Sequence, residues 1–244
     1  MDTAIVEIAG RDSVAAAVAA TRERGFARLI PTIALTGTET GDRDAPLRAV
    51  DTLRRLLGKE CEVLEPVVLS EPALWSAMNA RFADVIAERW GIFSPCLACH
   101  LYLHLLRVPL AWDNAGAPVI AGERDSHDGR IKLSQLPEGI DASIRVLAHA
   151  GVELYEPIRS AGGDEVSALV GGGWDQEGGQ LGCVLSGNYV RLDGSVRHDG
   201  AAYARYLPGF FEPVGRAVID AWRAERAGGD RPDYESIVRA VLER

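Results

Sequence analysis

Short apolar runs alternate with stretches of helical periodicity through the first half of the chain. The first run is β-branched, and the helical stretch after it consists mostly of alanine and valine. Strands that alternate with helices of this length predict an α/β fold with a doubly wound, mostly parallel sheet. The predicted elements are a strand over 5–8, a helix over 14–20, a strand over 29–35, a helix over 46–57 and a strand over 61–69 that Pro66 interrupts or ends.

The alternation continues into the second half, and the chain then becomes helical towards its end. The pattern predicts one main domain over residues 1–199 and a helical extension over 200–244 that packs on the same domain. The further elements are strands over 119–122 and 152–158 and helices over 75–90, 101–110, 164–170, 210–227 and 234–244.

Three polar or small-residue loops directly follow predicted strands. They span residues 9–13, 36–42 and 123–132. Because ligands bind at the carboxyl ends of strands in such sheets, we expect these loops to surround a ligand site. Small residues at 9–10 let the backbone approach a ligand, and the N–H groups that open the next helix bind anions such as phosphate. The alternative interpretation is a plain helix cap formed by Asp12 and Ser13.

Composition and charge narrow the class of protein. The 244 residues are 47% hydrophobic, with no run of about 20 apolar residues, so we expect no membrane span. Acidic residues near the start, Asp2 and Glu7, are not typical of a secretory signal, and we expect a cytoplasmic protein. A net charge of −9 argues against a broad nucleic-acid surface. The helical tail has balanced charges, so we expect it to be a packing element or a dimer element. We expect the protein to be a homodimer.

In a cytoplasmic chain, cysteines indicate metal binding or catalysis more often than disulfide bonds. Cys96 and Cys99 form a CxxC pair, which fits a redox pair, half a zinc site or part of an iron–sulfur site. With Cys183 they make three thiols, and three cysteines with one open position suit a [4Fe–4S] cluster. A structural zinc requires a fourth ligand, for which the candidates are Cys61, His100 and His104.

The segment 8–13, Ile-Ala-Gly-Arg-Asp-Ser, resembles the SGGxDS loop of the PP-loop ATP pyrophosphatases. It keeps Gly10, Asp12 and Ser13, whereas Ile8 and Ala9 depart from the motif. A mid-chain CxxC followed far downstream by a third cysteine is similar to the iron–sulfur thiolases of that superfamily. These are the tRNA 2-thiouridine and 2-thiocytidine synthetases and related sulfur insertases. The resemblance covers roughly residues 1–190.

The resemblance implies an ATP-dependent sulfurtransferase that adenylates a carbonyl oxygen and replaces it with sulfur, releasing AMP and pyrophosphate. The acidic charge and the lack of further CxxC modules favour a small oxo-substrate, such as a purine-like base or an amide, over a tRNA base. The sulfur donor would be sulfide or a carrier protein. The rival hypotheses are ATP-dependent amidation with zinc at the cysteines, and a non-catalytic nucleotide-binding module.

The same resemblance assigns roles to individual residues. ATP phosphates and Mg²⁺ are expected at the loop from Ala9 to Ser13, and adenosine at the loop after the second strand. If no cluster binds, Cys99 or Cys183 would instead carry a persulfide. The predicted cofactor-binding residues are Ala9, Gly10, Arg11, Asp12, Ser13, Thr36, Thr38 and Arg124. The predicted catalytic residues are Asp12, Cys99, Lys132 and Cys183, and the predicted cluster ligands are Cys96, Cys99 and Cys183.

Overall fold

A parallel sheet forms the centre of the protein in the computed structural model, which describes residues 2–125, 131–174 and 180–244. The strands are β1 (Thr3–Glu7), β2 (Arg28–Leu35), β3 (Glu39–Thr40), β4 (Glu62–Val63), β5 (Val67–Ser70), β6 (Val119–Ile120), β7 (Leu154–Tyr155) and β8 (Gly182–Cys183). In the described part of the chain the main sheet has six strands in the order β4-β2-β1-β6-β7, with β5 also paired to β2. All of these pairs are parallel, whereas β3 and β8 form a separate antiparallel pair.

Helices connect the strands of the sheet, as the alternating pattern predicts. The α-helices are α1 (Arg11–Arg24), α2 (Ala45–Leu57), α3 (Pro72–Asn79), α4 (Ala83–Trp90), α5 (Pro95–Leu105), α6 (Val108–Asp113), α7 (Pro137–His149), α8 (Gly163–Leu169), α9 (Gly200–Tyr206), α10 (Glu212–Arg226) and α11 (Tyr234–Leu242). A 3₁₀ helix spans Leu133–Gln135 and a π-helix spans Leu207–Phe211. The prediction of an α/β fold with a mostly parallel sheet is confirmed.

Both faces of the sheet are covered by helices. Successive side chains of a strand point to opposite faces, and β1 places Ile5 in one core and Val6 in the other. The core around Val6 contains residues of α1, α2 and α8, and the core around Ile5 contains residues of α3, α5, α7 and α10. β1 is thereby buried on both faces, which explains its continuous apolar sequence.

Two predicted elements differ from the structure. The single helix predicted over 75–90 is two helices, α3 and α4, because the N–H groups of Ala80 and Arg81 both donate to the Ser76 carbonyl and close the first helix. The helix predicted from residue 210 begins earlier, since α9, the π-helix and α10 follow one another without a break. Pro208 and Pro213 lack the N–H that an α-helical bond requires, and the wider π-turn occurs between them.

The chain around Pro66 matches its prediction. β4 and β5 both pair with β2 in parallel and lie on either side of residues 64–66. Proline has no N–H to donate to a neighbouring strand, so the ladder is interrupted there. Among the described residues, no helix has both the length and the apolar character needed to cross a membrane.

The C-terminal helices share a core with the sheet. Phe210, Val214 and Val218 are fully buried in the cluster that also contains Ile5 and Leu101. The rings of Trp90 and Phe210 pack with centroids 5.5 Å apart. The extension therefore packs on the main domain, while the boundary at residues 199 and 200 stays a prediction.

We predict that Phe210→Ala lowers the free energy of unfolding by about 3–5 kcal/mol, because it removes a fully buried ring and leaves a cavity. Urea denaturation followed by circular dichroism measures this change. Leu192→Ala is the control, because that side chain is fully exposed and its loss is expected to matter little. An equal effect of the two substitutions would contradict a shared core.

Candidate functional site

Three loops meet at the carboxyl edge of the parallel sheet. They follow β1, β2 and β6, and the loop after β1 leads directly into α1. β1 lies between β2 and β6, so the chain crosses to opposite sides of β1 at this point. Ligands of open α/β sheets bind at such a switch point. The predicted position of the 9–13 and 36–42 loops at one edge is confirmed.

The loop that begins α1 is shaped by the Ser13 hydroxyl. Ser13 Oγ accepts hydrogen bonds from the N–H groups of Ala9 (3.0 Å) and Gly10 (3.1 Å), and it donates to the Gly10 carbonyl (2.7 Å). Ile8, which departs from the resembled motif, is buried, and its N–H donates to the Thr32 carbonyl at 2.8 Å. Ile8 thus extends the β1–β2 pairing and packs in the core. The loop proper begins at Ala9, which is exposed.

Asp12 is fixed by two arginines at the start of α1. Its carboxylate accepts from Arg11 Nε at 3.0 Å and from Arg124 Nε at 2.9 Å. Arg124 is buried and also donates to the Ala161 carbonyl at 3.1 Å. Burial lowers the pKa of Lys132, and the nearby Asp12 and Glu123 carboxylates oppose that shift. The structure thus brings together Arg11, Asp12, Arg124 and Lys132. The phosphate-binding roles of Arg124 and Lys132 stay predictions.

Gly122 allows β6 to approach the first turn of α1. A Cβ atom at this position would lie 2.6 Å from the Ser13 nitrogen and 2.7 Å from the Asp12 carbonyl carbon. Both neighbours are backbone atoms, so they cannot rotate away as a flexible side chain would. The position of the α1 N-terminus therefore depends on a glycine 110 residues downstream in sequence from Asp12.

Glu39 closes the loop that follows β2. Its carboxylate accepts from the Thr36 N–H (2.5 Å), the Thr36 hydroxyl (2.6 Å) and the Gly37 N–H (2.9 Å). Burial raises the pKa of Glu39, but these hydrogen bonds outweigh it and lower the pKa overall. The sequence analysis missed Glu39. A Thr-x-x-Glu spacing, a known signal for a carboxylate that bonds back to a nearby backbone, could have indicated it.

The three predicted cluster cysteines lie in one neighbourhood. Cys96 and Cys99 are in the first half of α5, and Cys183 is on β8, opposite Glu39. The Cys96 thiol donates to the Leu185 carbonyl, two residues after Cys183, at 3.7 Å. Cys96 and Cys183 are also close enough for each to influence the ionisation of Cys99.

Each of these three sulfurs has a hydrogen-bonding neighbour of its own. Asn188 Nδ2 donates to Cys96 Sγ at 2.9 Å, and Trp75 Nε1 donates to Cys99 Sγ at 3.4 Å. Cys183 Sγ accepts from the Leu185 N–H at 3.4 Å and lies 3.2 Å from Thr38 Oγ1. The groups within hydrogen-bonding distance of the three sulfurs thus belong to Thr38, Trp75, Leu185 and Asn188.

Burial raises the pKa of Cys96 and raises that of Cys99 to about 12. In the described ranges, no group of three or more His, Cys, Asp or Glu side chains is arranged to hold one metal ion.

Cys61, the fourth cysteine, is buried with residues of α1 and α2 in the other core, and burial raises its pKa. Cys61, which the sequence offered as a fourth zinc ligand, is thus a core residue.

A buried network of charges lies behind the site. His104 Nδ1 bonds the Glu7 carboxylate at 2.9 Å, and Arg107 Nε lies 3.7 Å from the same oxygen. Glu123 accepts from His100 Nδ1 at 2.7 Å, lies 3.9 Å from His104 Nε2 and also accepts from the Gln135 amide. The sequence offered both histidines as candidates for a fourth zinc ligand. In the structure each bonds a carboxylate, and the sequence analysis missed Glu7 and Glu123 as partners.

The network shifts the ionisation of its members. Burial alone would lower the pKa of His104, but the charge and hydrogen bond of Glu7, with Glu123 and Glu156, raise it to about 9. The pKa of Glu123 is lowered. Burial favours the neutral carboxyl, but the charges of His100 and His104 outweigh burial. Burial and the charge of Glu123 raise the pKa of Glu156, and within the described residues Glu156 Oε1 has no hydrogen-bond partner.

We predict that the stability contributed by His104 is lost at alkaline pH. Its pKa rises from 6.5 to about 9 on folding, so protonated His104 stabilises the fold fully below pH 6.5 and ceases to do so as the pH passes 9. The free energy of unfolding should fall across this range by on the order of 3 kcal/mol, at about 1.4 kcal/mol per pKa unit. Urea titrations between these pH values measure the slope. Glu156, whose pKa is raised to about 8, contributes a further fall in the same direction. His104→Gln should therefore reduce the slope without abolishing it, and an unchanged slope would contradict the assignment.

We also predict that Gly122→Ala displaces the start of α1 and lowers the free energy of unfolding by about 1–3 kcal/mol. The reason is the backbone contact with Asp12 and Ser13. Backbone NMR shifts of residues 9–13 report the displacement, and urea denaturation reports the stability. Gly162→Ala is the matched control, because no atom lies within 4 Å of its Cβ position. Unchanged shifts in residues 9–13 would show that the contact is absent in solution.

The chain has a relative of similar sequence among known proteins. No family model matches the chain. Uncharacterized protein MJ0009 of Methanocaldococcus jannaschii is 34% identical over 223 residues, which cover 89% of this chain and 80% of that protein. The chain therefore belongs to the same protein family as MJ0009 of Methanocaldococcus jannaschii.

Proposed function

We propose that the protein is an ATP-dependent sulfurtransferase of the PP-loop type. It would adenylate the carbonyl oxygen of a small oxo-substrate and replace that oxygen with sulfur, releasing AMP and pyrophosphate. The observation that carries the proposal is that the Ser13 loop, the Thr36–Thr38 loop and the three cysteines lie at the same edge of the sheet. A nucleotide and a sulfur source bound there would be close enough to react with one substrate.

The nucleotide side of the proposal rests on α1 and the loops beside it. The first turn of a helix has N–H groups without intrahelical acceptors and the positive end of the helix dipole. The Ser13 hydrogen bonds and the glycine at position 122 fix this helix terminus for an approaching triphosphate. Lys132 lies close to Asp12 and reaches solvent despite its partial burial, whereas Arg124 is buried. Lys132 is therefore the better of these two candidates to neutralise phosphate charge. Asp12 would contribute to a Mg²⁺ site.

The sulfur side rests on the chemistry of the three cysteines. Hydrogen-bond donors to sulfur accompany the thiolate ligands of iron–sulfur centres, and Cys96, Cys99 and Cys183 each have such a neighbour. In the proposal the three cysteines would bind a [4Fe–4S] cluster, and these donors support it. Such a cluster would supply one iron with an open coordination position for sulfur.

Zinc and persulfide chemistry fit the arrangement less well. A zinc ion needs four ligands around one point, and the described residues form no such group. A cluster binds each cysteine through a different iron, so its sulfurs lie further apart. A persulfide on Cys99 would require an accessible thiolate, whereas burial raises the pKa of Cys99 to about 12. Cys183 is exposed and is the better carrier if no cluster binds.

The proposed reaction divides into two displacements. First, the substrate carbonyl oxygen attacks the α-phosphorus of ATP, and pyrophosphate leaves with the electron pair of the broken P–O bond. Lys132 and the α1 N–H groups would stabilise the charge that develops on the phosphates. Hydrosulfide then adds to the activated carbon, and the C–O bond breaks to release AMP. The Thr36–Thr38 loop would hold the adenosine in place for both displacements.

A small substrate is favoured over tRNA by charge. The net charge of −9 gives no general attraction for phosphate backbones. In addition, Arg216 and Arg223 of the C-terminal tail form ion pairs with acidic residues of α10. These arginines are therefore already paired within their own helix. A tRNA base is kept as a second substrate in the test.

We predict that protein purified without oxygen contains iron and acid-labile sulfide in about equal amounts, and that Cys183→Ala loses both, because an all-cysteine [4Fe–4S] site depends on each of its ligands. Metal analysis and sulfide assay measure this. Cys61→Ala is the matched control, since that cysteine is buried in the other core. The loaded protein should then form AMP from ATP only when sulfide and an oxo-substrate are present.

Two results would count against the proposal. Zinc without sulfide would favour the amidation hypothesis. A complete lack of AMP formation with purine bases, amides and tRNA would favour a non-catalytic nucleotide-binding module.

A further inference from the structure

The nucleotide loop and the sulfur site are joined directly. Thr38 Oγ1 lies 3.2 Å from Cys183 Sγ although the two residues are 145 positions apart. β3 and β8 pair antiparallel next to this contact, with Glu39 opposite Cys183. The Val184 N–H also donates to the Thr38 carbonyl at 3.0 Å. We name residues 38–40 and 182–184 the bridging ribbon.

The bridging ribbon begins in a tightly bonded turn. The Thr36 and Thr38 hydroxyls lie 2.8 Å apart, and the Thr38 N–H donates to Thr36 Oγ1 at 3.2 Å. Glu39 binds the other side of the same turn through Thr36 and Gly37. A shift of Thr36 therefore moves Thr38 as well. Because a hydroxyl has one proton, a nucleotide oxygen that accepts from Thr38 would take that proton away from Thr36 and Cys183.

The other end of the bridging ribbon reaches the second cysteine segment. A Cβ atom at Gly182 would lie 2.7 Å from Thr40 Oγ1, so the two strands are in close contact. Beyond Cys183, the Leu185 carbonyl accepts from the Cys96 thiol and from Asn188 Nδ2. Asn188 Nδ2 also donates to Cys96 Sγ. A displacement of the Cys183 backbone thus changes the surroundings of Cys96.

We infer that Thr38 is a positioning residue for Cys183, and that a nucleotide bound at the Thr36–Thr38 loop shifts the Cys183 sulfur through the bridging ribbon. The inference rests on the proposed function, because it takes ATP as the ligand of this loop. It adds that nucleotide occupancy sets the geometry of the sulfur site, so that sulfur is presented when ATP is in place. Coupling between two sites is reciprocal in free energy, so a change that alters the position of Cys183 should also alter ATP affinity.

The test measures the reactivity of each cysteine with and without ATP. The full chain, freed of metal by a chelator, is alkylated with iodoacetamide at fixed pH, and each cysteine is quantified by mass spectrometry. Calorimetry on the same sample gives the ATP occupancy. ATP with Mg²⁺ should change the Cys183 rate by about fivefold or more, the lower range of coupling between linked sites. The Cys61 rate, from the buried core, should stay constant.

Variants separate positioning from general stability. At equal ATP occupancy, Thr38→Val should abolish the change at Cys183, and Thr38→Ser, which keeps the hydroxyl, should retain it. Thr52→Val is the matched control, because the Thr52 hydroxyl bonds Arg55 on the surface of α2. As a second readout, protein alkylated at Cys183 should show an ATP affinity different from that of the unmodified protein, because the two sites are linked.

The outcomes distinguish this inference from the proposed function. ATP binding with an unchanged Cys183 rate, or an undiminished response in Thr38→Val, would overturn the coupling and leave the sulfurtransferase proposal intact. No calorimetric ATP binding at all would refute both.

Discussion

The carboxylate of Glu7 at the end of β1 is the group on which the arrangement of the site depends. It is mostly buried, and an unpaired carboxylate there would be costly, so its partners are fixed in place. His104 and Arg107 supply the opposite charge, and Arg107 also donates to the Thr32 hydroxyl of β2 at 2.9 Å. His104 belongs to α5, which also contains Cys96 and Cys99. The pairing therefore sets the position of the two cysteines relative to the sheet.

The same network extends to the loop after β6. Glu123 bonds His100 of α5, and its neighbour Arg124 bonds Asp12 at the start of α1. The two-residue segment Glu123–Arg124 thus connects α5 to the loop that begins α1. Removing one partner of such a buried pair typically costs about 3–5 kcal/mol, because the other charge is left uncompensated. Substitutions at these positions should consequently disturb both halves of the site together.

The sequence predicts those features that depend on local pattern. The β-branched run at Ile5 and Val6, the helical spacing of α2 and the break at Pro66 all appear where local physics requires them. The partners of Glu7 and Glu39 were missed for different reasons. Glu7 pairs with His104 across 97 positions, a distance at which periodicity carries no information. Glu39 lies in a strand of two residues, too short to show alternation, and its partner strand begins at Gly182. The split between α3 and α4 was missed because residues 79–82 contain neither glycine nor proline.

Two opposing effects act on the ionisation of Cys96 and Cys99, and burial is the larger. Amide and indole N–H groups bind a thiolate more strongly than a thiol, and such groups point at Cys96 and Cys99. Burial has the opposite effect, since it raises the pKa of both cysteines, and the Glu39 charge adds to it at Cys99. Hydrogen bonds alone do not overcome burial here. A cation bound to the sulfurs would, because metal binding requires deprotonated cysteine and supplies the missing positive charge. In the proposed function, a metal cluster at these partly buried cysteines would supply that charge.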